Sequence, residues 1–114
     1  MAANLISRDE YIRGVLRAYC NTTTTTGSSR RSDRLLAAQL YDRGVPLLVV
    51  ENALLLATAR RLLRADQAAP LNIIRSLAYF VPAIDEVLEL TVSQDYFHYL
   101  RGKIERFLQS AQAR

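Results

Sequence analysis

A chain of 114 residues, half of them hydrophobic, has room for one packed core and is too apolar to be disordered. Four glycines and three prolines exclude a turn-rich all-β fold, and the single cysteine, Cys20, excludes an intramolecular disulfide or a cysteine metal cluster. A net charge of +4, carried by arginine with Lys103 as the one lysine, suits a phosphate-bearing partner without demanding one.

The elements follow from apolar spacing and capping signals. Ser7-Arg8-Asp9-Glu10 forms a capping box, in which the Ser7 oxygen accepts from the Glu10 backbone and the Glu10 side chain reaches back. Tyr11, Ile12, Val15, Leu16 and Tyr19 then recur at helical spacing and predict a helix ending near Cys20 or Asn21. Residues 21–31, NTTTTTGSSRR, are low in complexity and poor in helix propensity. They predict a flexible, solvated loop that carries Arg30 and Arg31 at its end.

A second helix is expected after Ser32, with Asp33 in its first turn and Leu36, Ala37 and Leu40 facing inward. Gly44 stands where a left-handed residue closes such a helix, and Pro46 where a new one opens. The third helix, Leu47 to about Leu63, is apolar on most of its circumference, so it is expected at the centre with Leu55 fully buried. Arg60, Arg61 and Arg64 fall at its C-terminus, where the macrodipole favours positive charge.

After a connector closed by Pro70, Asn72 is expected to cap a fourth helix, Ile73 to about Leu90. Its inward set is Ile74, Leu77, Phe80 or Val81, Ile84 and Leu88, and Pro82 is expected to kink or split it. Ser93 caps the last helix, with Phe97, Leu100, Ile104, Phe107 and Leu108 turned inward. The sum is an all-α fold: one compact domain, 1–114, of about five helices.

Residues Met1 to Asp9 lack an apolar core of signal-peptide length. Val45 to Ala59, broken by Glu51 and Asn52, falls short of the ~20 apolar residues of a membrane span. A cytoplasmic protein with no membrane contact is therefore expected.

Chemistry is sparse. His98 is the only histidine, and no G-x-S-x-G, Gly-rich phosphate loop or H-E-x-x-H motif occurs. Asp95 and His98 lie one turn apart, a spacing equally usual for a surface carboxylate beside a histidine. Cys20 lies at a helix C-terminus, which disfavours a thiolate. Asp85, Glu86 and Glu89 share one helix face and read as a solvated acidic surface, not as carboxylates set across a cleft. The reading is a non-enzyme with no metal, no cofactor and no small-molecule substrate.

The run LAAQLYDRGVPLLVVENALLLA has the outline of a DNA-reading helix-turn-helix. Its second helix would offer Leu47, Leu48 and Val49 to the bases, with Asn52 the one good donor. Base edges need polar side chains, so a plain helical hairpin is the better account.

From Val45 to Leu90 the chain resembles the C-terminal helical domain of DnaD-type primosomal proteins and related phage replisome organisers. The resemblance rests on a buried helix around Glu51-Asn52-Ala53-Leu54, a polar connector, and the aromatic run Ser76-Leu77-Ala78-Tyr79-Phe80 continuing to Ile84. Phe80 stands four residues before Ile84 where that family has a tyrosine, Asp85 replaces a leucine, and Pro82 departs from the pattern. The resemblance implies a cytoplasmic protein that contacts DNA and replication partners, borne on a mobile element.

Two partner classes follow. For DNA or RNA, the contact candidates are Arg30, Arg31 and Arg34 by the loop, Arg60, Arg61 and Arg64, Arg75, and Arg101 with Lys103. Tyr96 and Tyr99 are placed to stack on unpaired bases. The phosphate patch is expected at Arg60, Arg61, Arg64 and Arg75, beside the N-terminus of the fourth helix. The alternative is a protein–protein adaptor or self-associating subunit, in which the same arginines pair with Asp85, Glu86 and Glu89 of a neighbour or of this chain; the intramolecular rival to the patch has them neutralise helix carbonyls and pair with Glu86 or Glu89.

Overall fold

A computed structural model describes residues 6–64, 71–89 and 94–112, with five α-helices, one 3₁₀ helix and no strand among them. The first helix, α1 (Arg8–Cys20), begins where the capping box places it: Ser7 Oγ accepts from the Glu10 backbone at 3.1 Å. The Glu10 carboxylate takes its return bond from the Ser7 hydroxyl. The predicted stripe Tyr11, Ile12, Val15, Leu16 and Tyr19 is buried in full. Tyr11 meets Tyr41 edge to face at 5.3 Å. Burial pushes the Tyr11 phenol up to about 12. The unfolded chain releases that proton near pH 10 and the folded one does not. Fold stability should therefore hold below pH 10 and fall as pH rises from 10 towards 12, readable by thermal melts across that range.

The threonine run has a partner that its composition does not reveal. The Thr22 hydroxyl donates to Ala18 O at 2.7 Å, and the Thr25 hydroxyl adds a bond at 3.2 Å to Tyr19 O, which also accepts from Thr22 N, so the run closes the end of α1. Thr25 also pairs with Ile74 in a single parallel bridge: Ile74 N donates to Thr24 O at 2.8 Å, and Thr26 N donates to Ile74 O at 3.1 Å. The bridge holds Thr24 at φ 81°, a region β-branched residues seldom adopt.

Helix α2 (Arg31–Asp42) opens earlier than Ser32, because its cap is a carboxylate inside it. Asp33 is 1% exposed; its Oδ2 accepts from Arg30 N at 2.8 Å, and its Oδ1 accepts from Leu77 N at 2.9 Å. One buried side chain thus caps α2 and fastens a segment more than forty residues away. The far end closes as Gly44 predicts. Gly44 (φ 78°) donates to Tyr41 O and Val45 to Leu40 O, a Schellman pair. Arg8–Asp42 and Arg43–Asp85 ion pairs join this end of α2 to α1 and to the fourth helix.

Helix α3 (Leu47–Leu62) is central, packed by α1, the fourth helix and the fifth. Leu54 and Leu56 are buried, but Leu55 is only half-buried and lines a cleft. The core leucine is the neighbour of the one expected. Helix α2 packs on α1 and the 3₁₀ helix instead of forming a tight hairpin with α3.

The fourth helix needs the largest correction. Residues 71–76 are non-helical, Leu77–Phe80 form a 3₁₀ helix capped by Ser76, and only Val81–Glu89 (α4) are α-helical. Asn72 therefore caps nothing. Pro82 makes no kink, because it lies in the first turn of α4, where its missing N–H would have had no helical partner. Ile74, Leu77, Phe80 and Ile84 are nevertheless buried; Leu88 is exposed and Val87 takes its place. Helix α5 (Gln94–Gln112) buries Phe97, Leu100 and Ile104 and leaves Phe107 exposed. Ser93 and the 65–70 connector lie outside the described residues.

Candidate nucleic-acid interface

The candidate residues fall into three groups. Arg30, Arg31, Arg34 and Arg75 are exposed, and none forms an ion pair within 4 Å among the described residues. The fold brings them to one end. Arg75 is bracketed by Ile74, bridged to Thr25, and by Leu77, bonded to Asp33, which itself caps Arg30. The Asp33 carboxylate at this junction is buried and committed to two backbone donors.

Arg60, Arg61 and Arg64 do not join Arg75 in a free patch. Arg60 forks onto Glu86, with Nη1 donating to Oε1 at 2.8 Å and Nη2 to Oε2. The guanidinium holds the Glu86 carboxyl below its ordinary range, and the carboxylate raises Arg60 in turn. Arg61 donates to Asn72 O at 2.6 Å and to the Tyr79 hydroxyl at 3.1 Å. It thereby pins the non-helical 71–76 segment against α3. Arg64 is half-buried and also engaged within the chain. Arg60 and Arg61 are thus used within the chain: the apolar face of α4 packs on α3 and brings Glu86 to Arg60, while Arg61 is taken by Asn72 O and the Tyr79 hydroxyl.

The α5 candidates divide between two sides of that helix. Tyr96 and Tyr99 are exposed, ring centroids 6.4 Å apart, with the Lys103 ammonium 5.7 Å from the Tyr99 ring. Arg101 faces instead a cleft of ≈ 510 Å³ between α1 and α5, floored by Leu54, Leu55 and Thr58 of α3. Arg17, Glu51 and Glu105 also line it.

Three contributors are not visible as such in the sequence. Asp33 signals only a helix start there. Arg17 faces Arg101 across a cleft that depends on tertiary packing. Tyr79 belongs by sequence to an aromatic core motif, yet it is 48% exposed with the Arg61 guanidinium 5.4 Å from its ring centre. Asp95 and His98 are both exposed, and no hydrogen bond joins them. No metal-binding cluster occurs among the described residues, and no described helix is long and apolar enough to cross a membrane. No family model, curated protein or solved structure matches the chain.

Proposed function

We propose that this protein is a non-enzymatic, nucleic-acid-associated helical module that grips the phosphate backbone through Arg30, Arg31, Arg34 and Arg75. The observation that carries the reading is the junction at Asp33, which gathers four exposed arginines without giving them acidic partners. Exposed guanidinium forks with no carboxylate of their own are free to make bidentate, charge-assisted bonds to phosphate oxygens. Such bonds position a nucleic acid without reading its sequence. The likeness of residues 45–90 to DnaD-type proteins supports a setting in DNA replication, on a mobile element. An adaptor role is the second reading. It is favoured by the α1–α5 cleft, whose leucine floor and rims of both charge signs suit a protein surface.

Phosphate binding predicts a salt signature. Affinity for a labelled DNA oligonucleotide should fall linearly, log against log, by ~0.7–0.9 per neutralised phosphate between ~50 and ~200 mM salt. Absence of binding to DNA and RNA at ~50 mM salt would leave the adaptor reading in its place.

A further inference from the structure

We infer that the nucleic acid is single-stranded, with unpaired bases stacking on the exposed tyrosines Tyr79, Tyr96 and Tyr99. This rests on the phosphate-binding reading and adds the class of ligand.

The six tyrosines separate sharply by environment. Tyr11 and Tyr19 are fully buried and Tyr41 packs on Tyr11, so these three belong to the core. Tyr79, Tyr96 and Tyr99 are 48%, 44% and 53% exposed. They are also linked across the surface. Tyr79 meets Arg61, which is consecutive with Arg60. Helix α5 packs on the helix that carries Arg61, and on α5 Tyr96 and Tyr99 are neighbours one helical turn apart. Lys103 then stands over Tyr99. The surface thus carries two sets of exposed ring and cation: Tyr79 with Arg61, and Tyr96 and Tyr99 with Lys103.

Such a series matches an unpaired strand. A duplex hides its base faces in the stack, whereas a single strand offers a π-face at every nucleotide. The 6.4 Å between Tyr96 and Tyr99 is roughly two rises of a stacked strand, at ~3.4 Å each. Bases two positions apart therefore match the two rings. Glu86 is already neutralised by the Arg60 fork, which leaves the exposed Asp95 beside Tyr96 as the carboxylate that the strand's phosphates must clear. Lys103 and Arg75 remain to take phosphates.

The test uses the full chain, a labelled oligo-dT strand and a duplex of equal length, titrated by fluorescence anisotropy at low salt. The expected result is tighter binding of the single strand, by at least about tenfold. Tyr96→Ala/Tyr99→Ala should weaken it by roughly 5- to 160-fold for each base that no longer stacks. Tyr99→Phe, which keeps the ring, should bind as the native protein does, and circular dichroism of each variant verifies that the fold is intact. Equal or tighter binding of duplex, or alanine variants that hold oligo-dT normally, would overturn the inference while leaving phosphate binding in place. Failure of the native protein to bind either probe would overturn both.

Discussion

Phe80→Ala is expected to cost about 3–5 kcal/mol, the range for removing a fully buried aromatic side chain. Phe80 has no exposed surface and packs edge to face against Tyr19 at 6.1 Å and Tyr79 at 5.2 Å. It also sits at the joint between the 3₁₀ helix and α4, so the void would open where two elements change direction. Small domains hold only about 5–15 kcal/mol in total, so the variant should be marginal or unfolded at room temperature. A urea midpoint compared with the native chain measures it. A loss below about 1 kcal/mol would place Phe80 outside the core.

Asp33→Ala is expected to cost roughly 1.5–5 kcal/mol by two separate routes. The first is the missing cap on α2, worth about 0.5–2 kcal/mol. The second is the stranded Leu77 N–H, which is buried and has no water to turn to, at about 1–3 kcal/mol. Asp33→Asn separates the two routes, because its one carbonyl oxygen can keep one bond but not both. An intermediate loss is therefore expected. Denaturant unfolding of the two variants checks the order: if alanine and asparagine cost the same, or neither costs more than about 0.5 kcal/mol, Asp33 is not the clasp described above.

The helical class and most of the core are legible because burial and periodicity have one cause. Tyr11, Val15 and Tyr19 on α1, and Phe97, Leu100 and Ile104 on α5, repeat every three or four residues and all turn inward. The segment before α4 shows where that signal loses resolution. Ile74, Leu77 and Phe80 are spaced by three, which fits a 3₁₀ turn of 3.0 residues as well as an α-helix of 3.6. The step from Phe80 to Ile84 to Val87 is four then three, and there the helix is α. Spacing thus picks the right residues on the wrong backbone. Pro82 is a sound marker of a break, but the break precedes it: a proline that opens a helix and one that kinks it look alike until the start is known.

The candidate site is less legible, since it depends on which groups sit opposite one another. Arg60 and Arg61 share a helix end with no acidic neighbour in sequence, and only the packing of α3 on α4 brings Glu86 within a fork's reach. Proximity along the chain groups Arg75 with them. Arg75 and Arg61 do line one hollow, but Arg61 is committed to Asn72 O and Tyr79, while the Thr25–Ile74 bridge and the Asp33–Leu77 bond tie the Arg75 segment to that of Arg30 and Arg34. The threonine run looks partnerless in sequence because neither its hydroxyl bonds to α1 nor its pairing with Ile74 has an apolar signature.

The assignment of phosphate binding to the Asp33 junction is tested most directly by titrating one labelled DNA strand with two variants over a salt series. Arg31→Glu/Arg34→Glu should weaken binding to every sequence and flatten the salt dependence by ~0.7–0.9 in slope for each phosphate no longer neutralised. Arg8→Gln, which removes a cation paired with Asp42 at the opposite end of α2 from Arg31 and Arg34, should leave that slope unchanged. Contradiction would be the reverse pattern: a slope flattened by Arg8→Gln and untouched by the reversals at Arg31 and Arg34.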